Sequence, residues 1–355
     1  MTGVQTCALP ISPPSLWVHP KCISLGIEPF GPFVLLGDGR ILTVNENQAL
    51  VSADNGKTWT ASPLFPADST AKTSGERALI RTRDGVIILA FLNAGDMVWK
   101  WNDAKKDVDP GTRLPTCTIR SLDEGKTWQD MQVLHEDWSG CIRNMIQTKN
   151  GRVVVTAMRL LNNPGRHSVL TYGSDDNGKT WRHSNIIDLG GAGHHDGATE
   201  GTIEQLTDGR LYQLIRTNWD RFWEAYSDDE GLSWRVIQPS QIDASSSPGI
   251  LKRLASGRLV LVWNRLNPQG REYPRSEANS QASEARASWH REELSIAFSE
   301  DDGKTWTKPV VFVNLPGSSL SYPYVFERLP GELWITTMMG PVRLALREED
   351  FLVKD

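Results

Sequence analysis

The feature that most constrains the fold is a short motif, S-x-D-x-G-x-[TS]-W, that occurs five times along the chain. The copies are SADNGKTW at 52–59, SLDEGKTW at 121–128, SDDNGKTW at 174–181, SDDEGLSW at 227–234 and SEDDGKTW at 299–306. An Asp that accepts backbone N–H bonds, a Gly at positive φ and a Trp that packs between sheets form a self-contained turn. Because one residue type used five times is a poor candidate for a single catalytic centre, the motif predicts scaffold.

A second repeat alternates with the first and consists of an apolar strand, a turn with Gly and another apolar strand. Its turn glycines are Gly39, Gly85, Gly151, Gly209, Gly257 and Gly331. Four antiparallel strands per unit, with no helical pattern to cover an open sheet, are best accommodated by radial closure. We therefore predict an all-β, six-bladed β-propeller of four-stranded antiparallel blades with five such turns. A β-sandwich or a two-domain all-β protein is the alternative.

The last hairpin lacks the turn motif, so blade 6 must be completed from other parts of the chain. We predict that GPVRLALRE at 340–348 forms its third strand and that LWVHPK at 16–21 adds the fourth. Residues 16–355 then form a single domain. Residues 1–15 have neither a strand pattern nor the basic and apolar regions of a signal peptide, so we predict a disordered leader and, by default, a cytoplasmic protein.

Composition narrows the class of ligand. The net charge is -5, and Lys and Arg are spread along the chain, which argues against nucleic acid or an anionic membrane as a partner. A neutral or small anionic ligand fits better. The four cysteines have no CxxC spacing, so we expect free thiols, no metal and no cofactor.

The hairpin repeat also locates equivalent positions in the blades. Counting back nine residues from each turn glycine reaches Phe30, Glu76, Ile142, Glu200, Pro248 and Tyr322. Equivalent positions lie at similar radius and height, so Glu76, Glu200 and Tyr322 are predicted to face one another at one mouth of the channel. Polar groups at the start of otherwise buried strands cost free energy unless they are satisfied or used.

The five turns alternating with hairpins resemble the Asp-box turns of the sialidase (neuraminidase) superfamily, over about residues 28–348. This resemblance implies an exo-α-sialidase with a Tyr nucleophile, Tyr322, that a Glu in a middle blade, Glu200, activates. The anomeric carbon of a sialoside carries a carboxylate, which would repel an Asp or Glu nucleophile but not a neutral phenol. A phenol has a pKa of about 10 and therefore needs a neighbouring base.

The resemblance also implies an arginine triad that binds the substrate carboxylate. Arg216 and Arg291 match the second and third arginines. The superfamily carries Arg-Ile-Pro ahead of the first hairpin, whereas this chain has EPFGPFVLLGDG, with no Arg. Arg77 or Arg143 could complete the triad from another blade, and Trp219 could stack on a sugar face.

In the superfamily the general acid is an Asp in a long loop after the first hairpin. The corresponding connection is short here and contains Glu46, whereas a long loop in blade 2 contains Asp96. We rank the candidates Asp96, Glu76 and Glu46 in that order. His194 and His195 lack the spacing of a metal site and are expected at the pocket rim or in a solvated loop, and the polar run 267–290 is expected to form part of that rim.

Three functions are consistent with these residues. The first is a retaining exo-α-sialidase acting on a glycan or small sugar. The second is a glycosidase for a different sugar that uses Glu76 and Glu200 as a carboxylate pair. The third is a non-catalytic carbohydrate-binding or assembly propeller, which the missing first arginine favours.

Overall fold

Each repeat unit forms one antiparallel sheet, and six sheets surround a central channel in a computed structural model that describes residues 15–276 and 282–352. The predicted six-bladed propeller is confirmed. Most of the predicted leader, residues 1–14, and residues 277–281 of the blade 5 loop lie outside the described part of the chain. Blades are numbered in chain order below.

Every blade has four strands that run from the channel outwards. The innermost strands are Phe33–Leu35, Thr73–Arg81, Met145–Gln147, Gly201–Gln205, Ile250–Arg253 and Ser321–Leu329. The second strands are Ile41–Asn45, Ile87–Asn93, Val153–Leu161, Leu211–Ile215, Leu259–Trp263 and Glu332–Met339. The third strands are Gln48–Ser52, Thr116–Ser121, Arg166–Ser174, Arg221–Ser227, Glu293–Ser299 and Arg343–Arg347. The outermost strands are Thr60–Pro63, Gln129–His135, Arg182–His183, Arg235–Asp243, Val310–Asn314 and Ile23–Ser24.

Short elements decorate this framework. Gly193–Gly197 pairs in parallel with the third strand of blade 3. Small hairpins form in the long loops of blades 2 and 5, from Trp101–Asn102 with Asp107–Val108 and from Arg275–Ser276 with Ala287–Ser288. Three 3₁₀ turns are Ala94–Asp96, Pro268–Gly270 and Glu348–Phe351. No helix within 15–276 and 282–352 has the length and apolar character needed to cross a membrane.

The N-terminal segment closes the ring, but not in the predicted register. Blade 6 takes its third strand from 343–347, within the predicted stretch, and its fourth from Ile23–Ser24, which pairs with Ala345 and Leu344. The assignment of 16–21 to blade 6 was wrong, because Trp17–Val18 adds a fifth strand to the outside of blade 5. A tight turn, in which Cys22 N donates to His19 O at 2.8 Å, separates the two short strands. One segment therefore ties the last two blades together.

The repeated turn is held by its own side chains. In the copy at 174–181, Asp176 accepts hydrogen bonds from the backbone N–H of Thr180 at 2.8 Å and from its hydroxyl at 2.7 Å. The Ser174 hydroxyl accepts from Gly178 N at 2.8 Å, and Gly178 has φ +80°. The other four copies repeat these bonds through Asp54, Asp123, Asp229 and Asp301. The motif is scaffold, as its repetition predicted.

The hydrophobic core consists of six clusters, one at each interface between neighbouring blades. The tryptophan of each repeated turn packs into the interface with the preceding blade, and these are Trp59, Trp128, Trp181, Trp234 and Trp306. Blade 6 has no such turn. Its interface with blade 5 is filled instead by side chains that include Phe312, Leu344 and Phe351 from the last 3₁₀ turn. These interfaces fix the blades and hence the positions at the channel mouth.

Candidate active site

Tyr322 and Glu200 meet across the mouth of the channel, the end at which the innermost strands begin. Tyr322 is the second residue of the innermost strand of blade 6, and Glu200 immediately precedes that of blade 4. The phenolic hydroxyl donates to Glu200 Oε1 at 2.9 Å. Both side chains are buried, with exposures of 7% and 6%. The equivalent spacing in the two repeats therefore placed a buried phenol on a buried carboxylate.

Arg216 neutralises the carboxylate of this pair. Its Nη1 donates to both carboxylate oxygens of Glu200, at 2.9 and 2.8 Å, and its side chain is 1% exposed. Burial alone would raise the pKa of Glu200, but the charge of Arg216, acting together with backbone hydrogen bonding, the nearby His195 and the hydrogen bond from Tyr322, lowers it to about 2. Burial, and then the charge of Glu200, raise the pKa of the Tyr322 phenol. The resting pair is thus a neutral phenol and a charged carboxylate.

Arg291 lies on the same side of the mouth and has no carboxylate partner among the described residues. Its Nη2 donates to Ser246 O at 2.8 Å, and its guanidinium carbon is 5.7 Å from the centroid of the Tyr322 ring. The Trp289 ring lies 5.9 Å from this group and 5.6 Å from the guanidinium carbon of Arg216. Two guanidinium groups therefore face one carboxylate, which leaves an unbalanced positive charge that attracts an anion.

A hydrogen-bond chain fixes the two arginines. The Ser246 hydroxyl accepts from Nε and Nη2 of Arg216, at 3.1 and 3.0 Å, and donates to Asn218 Oδ1 at 2.6 Å. Asn218 Nδ2 in turn donates to His195 O at 3.0 Å and to the Ser283 hydroxyl at 2.9 Å. Blade 4 is thus connected through one network to the loops that form the rim. Such second-layer contacts hold binding groups in one geometry.

Glu76 is the third polar residue at the equivalent positions. Its side chain is half-buried at the start of blade 2. Burial, and then the nearby charge of Glu200, raise the pKa of Glu76, and Arg143 and Arg77 only partly oppose them. A carboxyl group with a raised pKa holds its proton to higher pH and can act as an acid near neutrality.

The other two acid candidates lie farther along their loops. Asp96 ends a 3₁₀ turn, where Asn93 Nδ2 donates to its carboxylate at 2.8 Å and Arg113 lies 3.9 Å away. Its side chain is 42% exposed. Glu46 is exposed in the turn between the second and third strands of blade 1. The structure gives neither carboxylate a contact with Tyr322, Glu200 or Arg216 within the described residues.

The two arginines suggested as substitutes for the missing first arginine donate to backbone carbonyls. Arg77 donates to Gly31 O at 3.1 Å and to Ser74 O at 3.2 Å. Arg143 donates to Pro323 O at 2.6 Å and lines the channel below the mouth. Repeat spacing predicts the radius and height of a residue but not the direction of its side chain. Completion of the triad by either arginine stays a prediction.

Aromatic and imidazole rings form one wall of the mouth. Trp219, the aromatic residue selected from the sequence, packs against Trp223 at 5.6 Å on blade 4. The wall is instead a row of four rings, Trp289, His195, His194 and Trp99. The distances between the centroids of neighbouring rings in this row are 6.1, 4.4 and 4.2 Å. Burial lowers the pKa of His194 to about 4 and, together with His194, that of His195 to about 3. Both imidazoles are therefore neutral at pH 7 and add no charge to this wall of the mouth.

Backbone hydrogen bonds connect the loops of several blades at the rim of the mouth. Lys106 O in the blade 2 loop accepts from Gly165 N at 2.8 Å, and Gly165 O accepts from Gly193 N at 2.7 Å. Glu284 N of the blade 5 loop donates to Ala192 O at 2.9 Å. The placement of His194 and His195 at the rim agrees with the expectation from the sequence. No group of three or more potential metal ligands occurs among the described residues.

Three site residues were missed at the level of sequence. Trp289, Ser246 and Asn218 lie in connecting segments outside the two repeats, so no equivalent position pointed to them. Trp289 is two residues before Arg291, and that proximity is the one signal that would have suggested it. Ser246 lies in the run ASSSPG, where nothing distinguishes it from its neighbours.

Comparison with known proteins agrees with this architecture. Residues 50–335 match the family described as BNR repeat-like domain. A Dyadobacter fermentans protein of unknown function superimposes with a TM-score of 0.63 at 16% identity, over 93% of this chain and 97% of that one. Hadza microbial sialidase Hz136 superimposes with a TM-score of 0.63 at 15% identity, over 91% of this chain and 66% of that one. A Penicillium chrysogenum α-L-arabinanase complexed with arabinobiose superimposes with a TM-score of 0.58 at 11% identity, over 96% of this chain and 100% of that one. No curated protein matches. At these identities the structural likeness shows the fold.

Proposed function

The chain belongs to the BNR repeat-like domain family, and from this premise we propose that it is a glycoside hydrolase that removes terminal sialic acid with retention of configuration. The observation that carries the proposal is the hydrogen bond of 2.9 Å from Tyr322 to Glu200, in a buried site with two arginines. Sialidases and an arabinanase among the structural neighbours support a glycosidase-like propeller.

The charge at the mouth supports an acidic substrate. Glu200 balances Arg216, so the charge of Arg291 is available to a carboxylate of the substrate. With an anionic group bound there, the adjacent anomeric carbon is best attacked by a neutral nucleophile. Tyr322 meets this condition because its phenol keeps its proton until attack.

The proposed reaction has two steps that conserve protons. In the first, Tyr322 Oη forms a bond to the anomeric carbon and gives its proton to Glu200, while the bond to the leaving oxygen breaks and that oxygen takes a proton from an acid. In the second, the conjugate base of that acid takes a proton from water, and the water oxygen attacks the anomeric carbon. The tyrosyl bond breaks, and Glu200 returns the proton to the phenolate.

We propose Glu76 as that acid in preference to Asp96, which the sequence ranks first. The raised pKa of Glu76 favours the protonated form that a leaving oxygen needs. The Asp96 carboxylate accepts from Asn93, lies near Arg113 and has no contact with the Tyr322–Glu200 pair within the described residues. The half-exposed Trp289 and Trp99 rings offer surfaces on which sugar rings can stack.

A second candidate is a glycosidase for a different sugar, with Glu200 as the charged carboxylate and Glu76 as the acid. Opposite pKa displacements of these two residues favour it, since such pairs divide acid and base roles. In that case Tyr322 only orients Glu200.

The decisive experiment measures hydrolysis of a fluorogenic α-sialoside and of neutral aryl glycosides. We expect sialoside turnover by the wild type and a loss of about three orders of magnitude or more in kcat for Tyr322→Phe and Glu200→Ala. Tyr212→Phe is a matched control, because Tyr212 is also buried and donates to a carboxylate, Glu224 at 3.1 Å, but at the interface of blades 4 and 5.

Each alternative has its own signature. A wild-type protein that releases no sialic acid removes the sialidase proposal. Full turnover in both variants removes the assigned site. Turnover of a neutral glycoside that persists in Tyr322→Phe but not in Glu200→Ala identifies the carboxylate-pair enzyme.

A further inference from the structure

Arg143 is a buried arginine at the channel whose charge has no direct ion-pair partner among the described residues. Its side chain is 1% exposed, and only Nη2 has a hydrogen-bond acceptor, Pro323 O at 2.6 Å. Nε and Nη1 are buried with no hydrogen-bond partner in the described residues. A buried charged group with unpaired N–H groups is costly unless another interaction compensates it.

Two tyrosine rings supply that compensation. The guanidinium carbon of Arg143 lies 5.3 Å from the centroid of Tyr322 and 5.1 Å from that of Tyr324, within the range of cation–π attraction. Together with the bond to Pro323 O, Arg143 contacts three successive residues of the innermost strand of blade 6. One side chain from blade 3 therefore grips the segment that contains the proposed nucleophile.

This segment is conformationally strained. Tyr322 has φ 59°, in the left-handed region that bulky residues rarely adopt. A strained residue persists where its surroundings determine its conformation, and such residues cluster at functional sites. Around Tyr322 those surroundings include Glu200 at the hydroxyl, Arg143 at the ring and the following carbonyl, and the second guanidinium, of Arg291, at the ring. Apolar side chains of the interface between blades 3 and 4 also pack against it.

The Tyr324 ring, the second ring that Arg143 contacts, is held in place by hydrogen bonds to blade 2. The Tyr324 hydroxyl donates to Gly75 O at 3.1 Å and to Arg77 O at 3.2 Å in blade 2. Arg143 thus braces Tyr322 against a ring that cannot move freely. Loss of the guanidinium would remove the hydrogen bond to the carbonyl that follows Tyr322 and one of the two guanidinium groups that face its ring.

We propose that Arg143 is a positioning residue that holds Tyr322 in its left-handed conformation, so that the phenol meets Glu200 and the substrate's anomeric carbon. It acts through Tyr322 and binds no part of the substrate. This proposal rests on the proposed function for its effect on turnover, but it also makes a claim about conformation that holds without any substrate.

The kinetic test uses Arg143→Met, which keeps most of the side chain's length, and Arg143→Lys, which keeps the charge. We expect kcat for the fluorogenic sialoside to fall about a hundredfold in Arg143→Met, the effect of a misplaced reacting group, and less in Arg143→Lys. KM, and the Kd of sialic acid as a product ligand, should stay within about threefold, because the carboxylate-binding groups are untouched. An increase in KM with unchanged kcat would instead assign Arg143 to the substrate.

Arg120→Met is the matched control. Arg120 is 3% exposed, pairs with Asp130 and donates to Asn177 O at 3.1 Å, at the interface of blades 2 and 3. This variant should lose stability but keep the wild-type kcat. Equal losses of kcat in the Arg120 and Arg143 variants would reduce Arg143 to a general structural role and overturn the proposal.

A crystal structure of Arg143→Met, or of Arg143→Lys if the first variant does not fold, separates this proposal from the proposed function. We expect Tyr322 to leave the left-handed region and its hydroxyl to move out of hydrogen-bond range of Glu200. A variant that keeps the 2.9 Å contact and the positive φ contradicts the proposal. If the wild type hydrolyses no sialoside while the variant still loses that contact, the proposed function fails and the positioning role stands.

Discussion

At the scale of single residues, the proton between Tyr322 and Glu200 decides how the site can work. The pKa of Glu200 is about 2, while that of Tyr322 is raised above its ordinary value. Transfer of the proton from phenol to carboxylate is therefore uphill in the resting protein. Under the proposed mechanism the transfer accompanies bond formation at the anomeric carbon, so that a free phenolate never has to exist beside Glu200.

The raised pKa of Glu76 leads to a prediction about pH. If its protonated form is the acid, kcat/KM must fall as pH rises through the pKa of Glu76, which lies above the ordinary carboxyl value. Glu76→Gln should remove this alkaline decline and lower kcat by about a hundredfold or more for a sugar leaving group, but much less for an activated aryl group. Rate profiles against pH for both substrates provide the measurement.

Asp96→Asn is the comparison for that experiment. It should retain turnover of both substrates, because the Asp96 carboxylate has no contact with the Tyr322–Glu200 pair within the described residues. The reverse result, with Asp96→Asn inactive on the sugar leaving group and Glu76→Gln normal, would restore the ranking derived from the sequence.

At the scale of elements, the repeated turns are held by their own hydrogen bonds, and we expect them to stabilise the blades without taking part in the chemistry. Asp176→Ala removes three hydrogen bonds, two with Thr180 and one with Ser174. We expect a loss of about 2 kcal/mol in the free energy of unfolding, measured by urea denaturation, and unchanged kcat.

Asp175→Ala is the matched control for that change. Its carboxylate is exposed and pairs with Arg152 at 2.7 Å, an interaction worth about 1 kcal/mol or less. A folded Asp176→Ala protein with normal stability and reduced kcat would show that the turn takes part in function.

The same elements show what sequence reasoning reaches and where it ends. Repeats in the sequence become repeats in space, so spacing was enough to find the blades and to bring Glu200 to Tyr322. The direction of Arg143 depended on three residues of a different blade, Tyr322 to Tyr324, and no local pattern records that packing. Trp289 reaches the site from a loop, whose path depends on tertiary contacts rather than on strand periodicity.

At the scale of the whole molecule, closure of the ring determines whether the site exists, because its carboxylate, arginines and phenol come from blades 4, 5 and 6 and the proposed acid, Glu76, comes from blade 2. The short strands Trp17–Val18 and Ile23–Ser24 join blades 5 and 6 from outside. Their hydrophobic pattern was too brief to predict a register, which explains the one-blade error for residues 16–21. What the sequence did predict was that an N-terminal segment would complete the ring.

Buried histidines make the stability of the whole molecule depend on pH. Burial lowers the pKa of His135 and His194 to about 4, of His195 to about 3, and of His167 well below its ordinary value. These groups stay neutral when folded but take up protons near pH 6.5 when unfolded. The stability that they contribute is present above that pH and is lost as pH falls towards the folded pKa values.

The corresponding measurement is urea unfolding near pH 7 and near pH 5. Each of these histidines should lower the free energy of unfolding by about 1–2 kcal/mol at the lower pH. His135→Gln should make the decline smaller by that amount, whereas the exposed His183→Gln should leave it as in the wild type. A decline of the same size in all three proteins would show that His135 is not one of the groups responsible.

The central claim is that Tyr322 attacks the sugar, and trapping the covalent intermediate tests it most directly. A 2,3-difluorinated sialic acid forms the bond to the nucleophile and slows its hydrolysis, so the adduct can be located by peptide mass analysis. The account predicts one adduct, on Tyr322, that is absent from Tyr322→Phe and present in Tyr212→Phe. An adduct on Glu200 or Glu76, or no adduct on a folded wild-type protein, would contradict it.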